Sequence, residues 1–149
     1  MSSLIKIKNN DKYKLIETKK IKDINSTFNI YQHKITKTKI IFINSKDKEK
    51  SFLVSFKTPS HNSKGIQHIL EHSILRGSKK YDFGHRESFT EILRNSLLTN
   101  INASTHKSYT NYYFSTFVES EFFKVMDIYT DGVFLPKVIN NENLFKQEG

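Results

Sequence analysis

The chain has 149 residues, 36% of them hydrophobic and 13% aromatic, which is enough to bury the core of one ordinary domain. It contains no cysteine. That excludes a disulfide framework and every thiolate metal site, so any metal must be held by His and carboxylate.

The formal net charge is +9, but the lysines are scattered over polar positions. In the densest stretch Lys46, Lys48 and Lys50 alternate with Asp47 and Glu49, the pattern of a solvated turn. No nucleic-acid-binding motif accompanies the charge, and no nucleic-acid partner is expected. Met1 to Tyr13 is polar and holds no apolar run long enough for a signal peptide. No segment approaches the roughly 18 apolar residues of a membrane span. The expectation is a soluble, cytoplasmic protein with no membrane partner.

The first third reads as strands. Thr27 to Tyr31 alternates, Lys39 to Ile43 is rich in β-branched residues, and Phe52, Val54 and Phe56 share one face at period two. The charged segment Asn44 to Ser51 then predicts an antiparallel hairpin between the last two. Pro59 breaks the pattern, and Ser60 to Ser63 offers capping residues for a helix over Lys64 to Arg76, with Gly77 as its stop. A second helix is predicted over Arg86 to Leu98, with Phe89, Ile92, Leu93 and Leu97 inward. Strands follow near Asn100 to Thr105 and Asn111 to Val118, the latter with Tyr112, Phe114 and Thr116 on one face. A last helix fits Glu121 to Phe134, with Phe122, Val125, Met126 and Tyr129 on one stripe, and Pro136 bars its continuation. No repeat or linker is visible. The reading is one α+β domain over residues 1–149, an antiparallel sheet with helices packed on it.

The segment Gly65 to His72 contains the pattern H-x-x-E-H. At about 100° per residue, His68 and His72 lie about 40° apart on one helical face, with Glu71 about 60° to the other side of His68. The apolar residues Ile66, Ile69, Leu70 and Ile74 centre roughly opposite. The core is therefore predicted to take that side and leave the His/Glu/His cluster facing a cleft. Two imidazoles one turn apart suit Zn2+, and a neighbouring carboxylate can take a proton from zinc-bound water. A solvated His/Glu pair is the plain alternative, because so short a pattern recurs by chance.

The surrounding residues add more. Thr58-Pro59, Gly65 to His72 and Ser73 to Tyr81 together resemble the active-site segment of the pitrilysin/insulinase family of zinc metallopeptidases. The form H-I-L-E-H-S-x-L-x-G-S-x-K-Y is similar to the presequence-protease and falcilysin branch. Further matches follow in order: Phe89 to Leu97, Asn102-Ala103-Ser104-Thr105, Thr110 to Phe114, Asp127 to Pro136, and Phe145 to Gly149.

The resemblance implies a zinc endopeptidase, with His68 and His72 as metal ligands and Glu71 as general base. It also implies that Asn102, Ala103 and Ser104 form an edge strand to which a peptide substrate is added. Read without it, Asn102 is a turn residue opening a strand, and Tyr112, Tyr113 and Phe114 are core packing.

Two departures stand out. The loop Tyr81 to Arg86 lacks the proline-bearing pattern common in this branch. The family's third zinc ligand is a Glu on a later helix, beyond the Q-E-G element that here is Gln147-Glu148-Gly149. Glu148 lies at a spacing near that of other branches, yet its setting matches the upstream element. The expectation is an incomplete N-terminal metallopeptidase domain, with a C-terminal half or partner supplying the third ligand. The alternative is a catalytically incomplete fragment or a non-catalytic interaction module of the same fold.

Overall fold

The structure, a computed structural model, describes residues 11–60, 62, 64–81, 96–141, 143 and 146. The chain divides into two compact units, Met1–Asp47 and Lys48–Gly149.

The first unit is an antiparallel meander of β1 (Tyr13–Ile21), β2 (Ser26–His33) and β3 (Lys39–Asn44) in the order β1-β2-β3. Its tight turns place Asn25 and Lys37 at positive φ, 46° and 61°. An edge-to-face contact between Tyr31 and Phe42, with ring centroids 5.8 Å apart, ties β2 to β3. β1 was not foreseen, since Lys14, Glu17, Lys19 and Lys20 give it neither apolar alternation nor strand propensity. Backbone pairing along β2 recruits it.

The second unit holds β4 (Lys50–Lys57), α1 (Ile66–Ile74), β5 (Leu98–Thr105), β6 (Tyr109–Thr116), α2 (Glu119–Phe134) and a 3-10 turn at Lys137–Asn140. Its sheet is antiparallel in the order β4-β6-β5. The predicted hairpin between the strands at Lys39 to Ile43 and Phe52 to Phe56 does not form. β3 pairs with β2, while β4 pairs with β6. The charged segment between them has no Gly or Pro to fix a tight turn, and β4 finds better apolar neighbours elsewhere. Phe52 lies opposite Phe114, and Val54 opposite Tyr112.

β6 alternates as its sequence predicts, burying Thr110, Tyr112, Phe114 and Thr116. Tyr112 and Phe114 join Val125, Tyr129 and Val133 of α2 in the core, with Phe122 and Met126 packed against it. The spacing of Val125, Tyr129 and Val133 is one residue per helical turn on one face. Phe114 sits at the centre, its ring 5.5–5.6 Å from those of Phe52, Phe122 and Tyr129. Buried Thr116 joins two elements: its hydroxyl donates to the Leu97 carbonyl at 2.7 Å and accepts the Val118 N–H at 3.1 Å.

The predicted helix Arg86 to Leu98 lies outside the described residues apart from its last three. Of these, Leu98 already opens β5 and packs against the core, whereas Leu97, expected inward, is 70% exposed. Strand pairing with Thr116 fixes Leu98 and turns its neighbour outward.

Helix α1 is shorter than Lys64 to Arg76, and no Ser side chain caps it. Gly65 takes the N-cap at φ 68°, where its carbonyl accepts the N–H groups of His68 and Ile69 at 3.0 Å. Glycine adopts that left-handed backbone without a Cβ penalty. Past the helix, Gly77 has φ 144° and leads into a short bridge between Ser78 and Pro136. Among the described residues no helix is long and apolar enough to cross a membrane.

Candidate metal centre

α1 lies against β5. Its buried side matches the apolar side the sequence predicts only in part, at the half-buried Ile69 and Ile74. Ile66 and Leu70 are 46% and 39% exposed, while Glu71 is only 7% exposed and Ser73 is fully buried. The inward positions run through Glu71, Ile74 and Leu75, so Glu71, expected to face a cleft with the two histidines, is turned inward instead. The reason is a specific partner. Thr105, at the end of β5, donates its hydroxyl to Glu71 Oε2 at 2.5 Å. A buried carboxylate without such a donor would be costly. Ser73 is satisfied within the helix, donating to the Ile69 carbonyl at 2.7 Å. Gln67 anchors the first turn by donating to the Pro59 carbonyl at 3.1 Å.

His68 and His72 occupy the exposed face. Their Nε2 atoms are 3.1 Å apart, with ring centroids separated by 4.8 Å. Two nitrogens each about 2.05 Å from a tetrahedral zinc ion stand roughly 3.3 Å apart. The observed pair therefore fits two ligands of such an ion with little side-chain adjustment. Among the described residues no group of three or more His, Cys, Asp or Glu side chains converges. Glu148 lies outside the described residues.

The negative charge of Glu71 is felt nearby. The Tyr112 phenol is pushed above its ordinary range, chiefly by burial and then by Glu71. The Tyr129 phenol is raised by burial in the same core.

Asn102, Ala103 and Ser104 lie on β5, which pairs with β6 on one side only. In an antiparallel edge strand, alternate residues turn their backbone groups away from the ladder. The Ala103 N–H is one that makes a side-chain bond instead, donating to Asn102 Oδ1 at 2.9 Å. Below the strand, the Tyr129 hydroxyl reaches the Asn102 carbonyl at 3.4 Å. The structure thus places the His pair, the buried Glu71 and the strand of Asn102 to Ser104 on two packed elements. Sequence reasoning missed Thr105. Strand alternation puts Thr105 on the same face as Ala103, but only the packing of α1 shows what its hydroxyl meets.

The family profile "Insulinase (Peptidase family M16)" matches residues 57–147. Among curated proteins, "Protein HypA" of Clostridium perfringens is 39% identical over 137 residues, covering 92% of this chain and 14% of that protein. "Presequence protease 1, chloroplastic/mitochondrial" of Arabidopsis thaliana is 40% identical over 120 residues, covering 80% of this chain and 11% of its own. The crystal structure of pitrilysin superposes with a TM-score of 0.73 at 19% identity, over 91% of this chain and 14% of that one, and shows a shared fold. The chain therefore spans only a small part of these relatives' lengths. With most of its sequence, Lys57 to Gln147, matched by that profile, the chain belongs to the insulinase family of M16 peptidases.

Proposed function

We propose that this chain carries the catalytic helix of a zinc-dependent endopeptidase that hydrolyses peptides. The observation that supports this reading best is the approach of His68 Nε2 and His72 Nε2 to 3.1 Å on the exposed face of α1. His68 and His72 would hold the ion through those nitrogens. A bound zinc ion supplies Lewis acidity, polarising a peptide carbonyl and acidifying water. Glu71 takes the proton released by the attacking water on a carboxylate oxygen and returns it to the leaving amine nitrogen. The open edge of β5 at Asn102, Ala103 and Ser104 receives the substrate as an added strand. Such pairing selects extended peptides with little regard to side chains. Relatives named presequence proteases support a peptide substrate. A carboxylate beyond the described residues completes the ligand set, supplied by Glu148, by a C-terminal half or by a partner.

The test is Glu71→Gln in a longer, zinc-loaded form of the protein that holds the third ligand and cleaves peptides. The amide cannot accept the proton, so kcat should fall by about 10²- to 10⁴-fold while zinc stays bound. Loss of zinc together with activity would make Glu71 a ligand instead. One observation favours a second reading, a catalytically incomplete or non-catalytic module: only two ligands converge among the described residues. Zinc stoichiometry combined with a peptide-cleavage assay separates the two readings.

A further inference from the structure

A general base works only if its oxygen is held where the proton will be. Glu71 sits on a helix of nine residues, and its neighbours His68 and His72 face solvent. We propose that Thr105 is the positioning residue that aims the Glu71 carboxylate. This rests on the peptidase reading above. It also assigns to Thr105 a role separate from metal binding and substrate contact.

Three features carry the inference. The first is the bond itself, from Thr105 Oγ1 to Glu71 Oε2 at 2.5 Å, made to a residue that is only 7% exposed. A hydrogen bond to an ionised acceptor is short and roughly twice as strong as a neutral one. It removes the rotational freedom that a glutamate otherwise keeps.

The second feature is the residue type. A β-branched side chain on a strand has few allowed χ1 values, so the Thr105 hydroxyl is fixed by the backbone of β5. The β5 backbone is in turn fixed by pairing with β6, where Thr105 lies opposite Thr110. Thr110 is itself buried and hydrogen-bonded to Thr58 at 2.7 Å.

The third feature is location. Thr105 ends the strand whose residues Asn102 to Ser104 would pair with a peptide. Substrate register and base orientation are then both referenced to one backbone. A peptide bond aligned along β5 meets a carboxylate whose position is set by the same strand. Sequence alone would assign Thr105 the role of an ordinary strand residue.

The experiment compares Thr105→Val with Thr105→Ser at fixed pH. Valine keeps the branched shape and loses the hydroxyl, while serine keeps the hydroxyl. Two readouts are used: the ¹³C resonance of the Glu71 carboxyl in the metal-free chain, and steady-state cleavage of a fluorogenic peptide by the zinc-loaded protein with its third ligand supplied, by a C-terminal half or a partner if the chain alone lacks it. Thr105→Val should move the Glu71 carboxyl signal and lower kcat by about 10- to 100-fold, as expected for a misplaced catalytic group. KM and bound zinc should stay unchanged. Thr105→Ser should return both the signal and most of kcat, a rescue that a packing role alone would not give. An unmoved Glu71 signal overturns the inference whatever the activity, and so does a moved signal with unchanged kcat. A wild-type protein that binds no zinc and cleaves nothing even with the third ligand supplied overturns the peptidase reading instead. The Glu71 signal then still decides whether Thr105 holds that carboxylate.

Discussion

At the scale of single residues, exposure separates the chemistry from the packing. His68 and His72 are exposed and contribute little to the core, so replacing either by Ala should change stability by less than about 0.5 kcal/mol. Each replacement should nevertheless abolish zinc binding, because a single imidazole cannot hold the ion. Urea denaturation and isothermal titration with zinc, run on the same samples, check both halves. Phe114 is the opposite case. It is 1% exposed and in ring contact with Phe52, Phe122 and Tyr129. Phe114→Ala should cost about 3–5 kcal/mol, the range for truncating a buried aromatic residue. A midpoint shift in urea much smaller than this would mean that the core collapses around the gap.

At the scale of elements, the segment that follows α1 is latched to α2. The Lys79 N–H donates to the Leu135 carbonyl at 3.1 Å, and the Lys80 N–H to Asp131 Oδ2 at 3.0 Å. Asp127 Oδ2 accepts both the Lys80 ammonium and the Tyr81 hydroxyl at 2.5 Å. These bonds tie the end of the histidine helix to the helix that packs on β6. Lys80 and Asp127 are both half exposed, so the pair contributes little to global stability.

Its effect is local and follows pH. The Lys80 bond holds the Asp127 carboxyl below the ordinary value of 3.8. A depressed folded value means that the latch is intact above the unfolded value and is lost as acid titrates through the folded one. Lys80 is raised from 10.5 by the same bond, so the alkaline loss comes only above that value. Asp127→Asn should leave the melting temperature nearly unchanged while accelerating amide exchange at Lys79 and Lys80. Wild-type protein should show the same acceleration only below about pH 4. Unchanged exchange in the variant would assign the docking to the backbone bonds alone. On β5, Asn102→Ala removes the acceptor of the Ala103 N–H. Exchange at that amide should rise by roughly five-fold, the worth of about 1 kcal/mol of hydrogen bonding.

At the scale of the whole molecule, the described residues offer one pair of converging imidazole nitrogens and, in β5, an edge strand packed against the same helix. Two neutral imidazoles leave the charge of the ion uncompensated, whereas a catalytic zinc has three protein ligands. With zinc held by this pair alone, the 149-residue chain is expected to bind the ion weakly and to leave peptides uncut. Isothermal titration and a fluorogenic-peptide assay decide it. Tight one-to-one binding with chelator-sensitive cleavage would point to Glu148 as the third ligand.

What the sequence determined by itself is what local periodicity and short-range chemistry control. The alternation of β6 and the stripe of α2 follow from side-chain spacing, and both were legible in Tyr112, Phe114, Val125 and Tyr129. The His68/His72 pair was legible for the same reason, since a one-turn separation on a helix brings two rings together wherever the helix sits. Long-range choices were not legible. Strand partners depend on which apolar face is offered from far along the chain, so β4 joined β6 rather than β3, and the charged β1 formed only because β2 offered an edge. The inward face of α1 was decided in the same way. Ile66 and Leu70 advertise an apolar side, but a threonine hydroxyl 34 residues after Glu71 draws the carboxylate inward instead. Burying a charged group needs a specific donor at a specific place, and only tertiary structure brings Thr105 there.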